Sequence, residues 1–71
     1  MKRMYTAIFT PAEEGGWTAS CAEIPGANTE GETLAEARRN LKDAIRTLLE
    51  YRARQALSEV TAAARMEQIG V

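Results

Sequence analysis

The sequence predicts an α+β fold, in which a three-stranded antiparallel sheet carries one long helix on one of its faces. Two observations lead to this fold. Three short segments before residue 32 have strand-like composition or alternation, and proline and glycine turn signals separate them. From residue 34 onward, apolar residues instead recur at the spacing of a helix. The predicted order is β-β-β-α in a single domain over residues 1–71, and a fourth, C-terminal strand is left open.

The length of the chain and its cysteine content limit what can stabilise such a domain. With 71 residues, the domain buries a small share of its surface and is marginally stable alone. One cysteine closes no internal disulfide, and a zinc site needs about four ligands, mostly Cys or His, whereas the chain has no histidine. We therefore expect no metal and no cofactor, and we expect a homo-oligomer (a dimer or tetramer) or a partner protein to supply stability.

The first strand is predicted over residues 3–10, which are rich in aromatic and β-branched types. Pro11 ends it because proline has no N–H to donate to a ladder. Residues 13–16, Glu-Glu-Gly-Gly, supply a flexible hairpin loop. Both faces of this strand carry apolar side chains, yet one helix covers one face only. We therefore expect another chain to cover the open face or an open edge strand.

The second and third strands follow from alternation and from a tight turn. Residues 17–23 alternate as a half-buried strand does. Pro25-Gly26 suit the central positions of a type II turn, since proline fixes the first φ and glycine accepts a positive second φ. Residues 27–30 form a short third strand that Gly31 ends. The side chains predicted to share one face of the second strand are Trp17, Ala19 and Cys21.

The helix has the strongest local signal in the chain. Thr33 can cap its start, and Glu36, three residues later, can reach back to complete a capping box. The pattern predicts a helix over residues 34–55, whereas residues 56–71 suit a helix or a strand by composition. The residues predicted to form its apolar face are Leu34, Ala37, Leu41, Ile45, Leu48 and Leu49.

The charges of the chain are balanced overall but unevenly distributed. The net charge is −1, which favours neither nucleic acid nor a membrane surface as a partner. Six of the ten acidic residues lie within 13–36, and seven of the nine basic residues lie within 38–65. These stretches are interpreted as solvated faces or as an acidic edge that meets a basic partner. Without a long apolar run or a signal peptide, the chain is expected in the cytoplasm, away from membranes.

The residue types that catalysis needs are scarce, so we expect no enzyme and no catalytic residue. Nucleophilic catalysis needs a base beside the nucleophile, and Cys21 lies in mid-strand as a small packing residue would. Glu23, Glu30 and Glu32 can be neighbours across two strands, but a metal role is disfavoured. The basic residues of the helix lack interleaved aromatic groups, so we expect no DNA binding by this chain alone.

The order of the motifs over residues 4–50 resembles the HicB-like antitoxin family. The motifs are Gly15-Gly16-Trp17, Glu23-Ile24-Pro25-Gly26, Gly31-Glu32-Thr33 and Glu36-Ala37. The sequence departs from the family where Ala22 and Ala27 replace a proline and a cysteine around the turn. About 16 residues follow the helix, too few for the operator-binding domain that many members carry. The resemblance therefore implies a short, single-domain type with a reduced RNase H-like fold and a final strand at about residues 65–70.

This resemblance implies a function in protein binding. The expected partner is a HicA-like toxin, a small basic ribonuclease that cleaves mRNA, and inhibition would be steric. The alternative is a homo-oligomeric HicB-like module without a toxin partner and without catalysis. Trp17 is interpreted either as core or as part of a binding surface, where tryptophan is over-represented. The candidate partner-binding residues are Trp17, Glu23, Ile24, Pro25 and Glu30.

Overall fold

A computed structural model of the protein describes residues 4–71. The strands form one antiparallel sheet in the order β1-β2-β3, and the helix packs on one of its faces. The predicted α+β fold and its order β-β-β-α are therefore confirmed. The elements are β1 (Ala7–Pro11), β2 (Trp17–Cys21), β3 (Asn28–Gly31) and α1 (Leu34–Ser58).

Strand β1 is an edge strand that begins later than the sequence predicts. The predicted first residue lies outside the described part of the chain. At Thr6 the backbone N–H donates to Oε1 of Glu23 at 2.7 Å, so a side chain takes the place of a ladder partner. Pro11 is the last residue of the strand and lies opposite Trp17. A proline is tolerated there because it is at the end of an edge strand.

The strand register separates a core face from an open face. On the core face, Ala19 lies between Phe9 and Thr29, as the predicted alternation of β2 requires. On the open face, Ile8 is 49% exposed and lies opposite Ser20. Because its cross-strand neighbour is polar, the open face is less apolar than the composition of the first strand suggests.

The turn between β2 and β3 has the predicted geometry. The N–H of Ala27 donates to the carbonyl of Ile24 at 3.2 Å, and Gly26 has a φ of +92°. Only glycine adopts such a φ without strain, so Pro25-Gly26 occupy the turn positions that the sequence assigns to them. Strand β3 starts and ends one residue later than predicted. It includes Gly31 because this residue still pairs with Trp17.

The start of helix α1 is fixed by its capping residues. Oγ1 of Thr33 accepts the N–H of Glu36 at 3.1 Å. The Glu36 carboxylate in turn accepts the N–H of Glu32 at 3.2 Å, one residue before the cap itself. The predicted capping residues are therefore correct, and the reciprocal bond is displaced by one position from the standard capping box.

The core is small and lies between β2, the turn that follows it and the first half of α1. Leu41 and Ala37 contribute from the helix, whereas the predicted apolar residues Leu34 and Leu49 are 37% and 39% exposed. The narrow sheet therefore covers only part of the apolar face that the sequence predicts for the helix. The buried residues are Ala19, Cys21, Ile24, Ala27, Ala37 and Leu41, and the partly buried residues that pack on them are Tyr5, Phe9, Trp17, Ile45 and Leu48.

The C-terminal part of the chain extends away from the sheet. Helix α1 continues three residues beyond its predicted end, and every residue from Leu49 onward is exposed. The prediction of a strand at residues 65–70 is wrong, since residues 60–71 form neither helix nor strand. Met66, Ile69 and Val71 do not alternate with a period of two, so they cannot place their side chains together on one sheet face.

Candidate partner-binding site

The five candidate residues fall into two groups at opposite ends of the sheet. Trp17 opens β2 and pairs with Gly31, and Glu30 pairs with the next residue of β2, Thr18. Glu23, Ile24 and Pro25 instead follow the other end of β2. Trp17 and Glu30 therefore lie at the same end of the sheet, on its core face and its open face respectively, and the other three residues lie at the opposite end.

Glu23 holds the start of the first strand against the turn. Its carboxylate accepts both the N–H and the Oγ1 hydroxyl of Thr6, at 2.7 and 2.6 Å, and the Cys21 thiol at 3.5 Å. The bonds from the side chain and the backbone of Thr6 lower the pKa of Glu23 from 4.5 to about 2. The ionised form is favoured in the folded chain, so this contribution to stability is present above pH 4.5 and is lost as the pH falls towards 2.

Ile24 and Pro25 also have roles within the fold. The Ile24 side chain is 5% exposed and belongs to the core. The carbonyl of Pro25 accepts a hydrogen bond from Nη2 of Arg52 at 2.8 Å, which ties the turn to the far half of helix α1. Contact between a partner and this turn stays a prediction, and the structure shows what else the turn does.

The second group lines a cleft of about 680 Å³ at the end of the sheet where β2 begins. Its loop is closed by the N–H of Ala12, which donates to the carbonyl of Gly16 at 3.0 Å. The Cβ of any other residue at Gly16 would lie 2.7 Å from the carbonyl oxygen of Gly31, so glycine permits this close approach. The cleft is lined by Ala12, Glu14, Gly15, Gly16, Trp17, Glu30, Gly31, Glu32 and Glu36.

The cleft combines negative charge with an aromatic wall. Four glutamates line it, and none of the described residues that line it is basic. No three acidic or cysteine side chains within residues 4–71 lie close enough together to hold a metal ion. Trp17 is half-buried, so its ring is held by the core at one side and reaches the cleft at the other. A cleft lined by carboxylates and an indole ring suits a cationic side chain, above all arginine, which stacks on aromatic rings.

The sequence predicts Glu23, Glu30 and Glu32 as possible neighbours, and the structure brings Glu30 and Glu32 to this cleft but not Glu23. Glu14 and Glu36, which the sequence assigns to the hairpin loop and the helix start, also line it. The signal that points to them is positional, since an acidic loop, a strand end and a helix start all meet beside Trp17. Only the pairing of β2 with β3 brings these three segments to one place.

The comparisons with known proteins place the chain in a family. It is 54% identical over 52 residues to a UPF0150 protein of Synechocystis, an alignment that covers 73% of the chain and 72% of the relative. It is also 47% identical over 47 residues to Antitoxin HicB of Escherichia coli K12. The chain belongs to the HicB-like antitoxin family. The resemblance predicted from the motifs is therefore confirmed, although no protein-family model matches the chain.

The HicB-like relatives are matched over different shares of their length. A UPF0150 protein of Thermoplasma acidophilum is 41% identical over 46 residues, which are 65% of the chain and 67% of that relative. The match to Antitoxin HicB covers 66% of the chain but 34% of the relative, so the chain corresponds to about a third of that antitoxin. None of the helices among the described residues is long and apolar enough to cross a membrane.

Proposed function

We propose that this protein is an antitoxin-like binding protein that sterically neutralises a small, basic HicA-type toxin. The observation that carries the proposal is the 47% identity to Antitoxin HicB. That relative is named as an antitoxin, which supports binding rather than catalysis for this chain, so the proposal assigns no catalytic residue. A toxin that acts on mRNA places its partner in the cytoplasm, where we expect this protein to act.

The acidic cleft beside Trp17 is the proposed contact surface for the toxin. Glu30 and Glu32 are exposed on the strand end, where a basic partner can reach them. Opposite charges on two partners steer their encounter and can raise the association rate constant about 10- to 1,000-fold at low salt. In this proposal a lysine or arginine of the toxin enters the cleft and lies against the indole ring of Trp17.

Co-purification and an RNA-cleavage assay test the antitoxin role. Tagged protein isolated from its native cells is expected to carry a small basic chain in stoichiometric amount. That chain, purified alone, is expected to cleave mRNA, and one equivalent of this protein is expected to stop the cleavage. A purified toxin that cleaves mRNA equally well in the presence of excess protein would remove the proposed function.

Charge reversal tests the contact surface separately. Glu30→Lys with Glu32→Lys is expected to weaken toxin binding at least about tenfold, mainly by slowing association, and to reduce its dependence on salt. The matched control, Glu50→Lys with Glu59→Lys, makes the same change of charge on exposed residues of α1 and its cap, and is expected to leave affinity within about twofold. Equal weakening by both pairs would show that only net charge matters.

We also propose that the protein is a homo-oligomer, as its small core suggests. Large apolar side chains near the end of α1 lie in solvent, including Tyr51 at 55% and Leu57 at 60% exposure. Burying them in a second copy would add the apolar area that a domain of 71 residues lacks. Light scattering is expected to give a dimer or tetramer, and Leu57→Glu is expected to shift it towards the monomer. A monomer at high concentration would contradict this proposal.

A further inference from the structure

A second groove, separate from the acidic cleft, lies between the edge strand β1 and the first half of helix α1. Its volume is about 540 Å³, and it shares no lining residue with the cleft. Its floor and walls are mostly apolar, and the two charged residues that line it are both basic. The lining residues are Met4, Tyr5, Ala7, Phe9, Arg38, Leu41, Lys42 and Ile45.

The strand beside this groove has backbone groups that face away from the sheet. The N–H of Ala22 donates to the carbonyl of Thr6 at 2.9 Å, which directs the backbone groups of Thr6 towards β2. In an antiparallel pair these groups alternate in direction, so those of Ala7 and Phe9 point to the open side. No described strand pairs with β1 on that side. A row of such groups is a template for an added strand.

The charges around the groove indicate which kind of strand fits. The Arg38 guanidinium lies 5.6 Å from the centre of the Phe9 ring, and Lys42 follows one helical turn later. Both side chains are exposed, and no carboxylate lines the groove within residues 4–71. If two copies paired through β1, four of these cations would meet at one interface without a carboxylate. An extended segment that carries carboxylates avoids this repulsion.

We propose that β1 binds an extended, acidic segment of a partner protein, which adds to the sheet as a further strand. The backbone of the segment bonds to Ala7 and Phe9, and the side chains at every second position face the groove. Among these groove-facing side chains, the apolar ones enter the groove and the carboxylates meet Arg38 and Lys42. This surface is distinct from the acidic cleft, and its occupant has the opposite charge to a basic toxin, so the inference goes beyond the proposed function and does not depend on it.

Amide hydrogen exchange with a synthetic peptide tests this inference. The probe is a blocked heptapeptide in which valine and glutamate take turns at the odd positions, which share one face, with threonine at the even positions, and its control replaces every glutamate with lysine. The acidic peptide is expected to slow the exchange of the Ala7 and Phe9 amides at least about tenfold, because both become strand donors. The lysine peptide is expected to leave them unchanged. Equal effects of the two peptides, or none at millimolar concentration, would overturn the inference.

Two sets of variants separate the charge from the backbone. Arg38→Glu with Lys42→Glu is expected to weaken peptide binding at least about tenfold, whereas the matched control Arg39→Glu with Arg46→Glu changes it by less than about twofold. Ala7→Pro removes one outward donor at the start of the strand and is expected to weaken binding without lowering the melting temperature. Tight binding to the Arg38 and Lys42 variant would refute the role of charge and with it the proposed partner.

The free protein supplies the last test. Without peptide, the amides of Ala7 and Phe9 are expected to exchange as fast as those of exposed segments. If they are already protected, a second copy or another part of the same chain occupies the edge, and the inference is wrong. Dependence of the protection on protein concentration would then identify the second copy.

Discussion

The close packing of strand β3 on helix α1 makes Gly31→Ala the most informative single substitution. A Cβ at Gly31 would lie 2.5 Å from the backbone N of Ala37 and 2.8 Å from its Cα. Ordinary contact begins at 3.4 Å, so the strand and the helix would have to separate by about 0.9 Å at this point. Backbone atoms cannot rotate away as a side chain does, so the cost must be met by movement of a whole element.

The expected loss of stability from this separation is about 3 kcal/mol. Overpacking of this kind costs about 1–3 kcal/mol, and a gap of 0.5–1 Å forfeits about a quarter to a half of each dispersion contact that it opens. The contacts at risk are those of Ala37 and Leu41, which are 0% and 2% exposed. For a domain of this size, about 3 kcal/mol lowers the melting temperature by roughly 12–24 °C.

Two other glycines provide matched controls. Gly15 has a φ of +99° with nothing within 4 Å of an added Cβ, so Gly15→Ala tests backbone conformation alone and is expected to cost about 1–2 kcal/mol. Gly70 has open space and no positive φ, so Gly70→Ala is expected to leave stability unchanged within about 0.5 kcal/mol. The assay is thermal and urea unfolding followed by circular dichroism. A melting temperature for Gly31→Ala equal to that of Gly70→Ala would refute the close contact between β3 and α1.

Three further substitutions test the helix cap at Thr33, the hydrogen bonds between Glu23 and Thr6, and the core position of Ile24. Thr33→Ala removes the acceptor for the Glu36 N–H and is expected to lower the free energy of unfolding by about 1 kcal/mol. Urea titrations measure this loss, and an unchanged free energy of unfolding would show that the cap does not form. Because its hydrogen bonds to Thr6 hold the pKa of Glu23 at about 2, Glu23→Gln is expected to lower the free energy of unfolding near neutral pH. The variant is also expected to lose less stability than the native chain as the pH falls below 4.5. Parallel stability profiles of the two proteins in acid would contradict the role of these hydrogen bonds. Ile24→Ala empties a core position that is 5% exposed and is expected to cost about 2–5 kcal/mol, and a smaller cost than 1 kcal/mol would place this side chain outside the core.

Features that depend on neighbouring residues are predicted well by the sequence. The cap at Thr33 and the turn at Pro25-Gly26 each form through contacts that span three residues. The alternation of residues 17–21 gives the correct core face for β2 because strand geometry alone sets its period of two. The family is also readable from the sequence, since its motifs lie in these local turns and helix starts.

The candidate site shows the limit of such reasoning. Glu23 has the same side chain as Glu30, and the sequence offers both as partner contacts. Glu23 differs from Glu30 in its role because Thr6, 17 positions away in the chain, donates a hydrogen bond to the Glu23 carboxylate. Likewise, the final strand that the family resemblance implies at residues 65–70 does not pair with the sheet.

The sequence by itself determines the order of elements, the turn that reverses the chain and the residue at which the helix begins. Each of these depends on backbone preferences and on hydrogen bonds within a few residues. Tertiary structure decides that Glu23 bonds to Thr6 and that four other glutamates line one cleft with Trp17. It also decides that Gly31 lies against Ala37 and that β1 keeps an open edge. Those features depend on distances between segments far apart in the chain, which are set only when the sheet pairs and the helix packs on it.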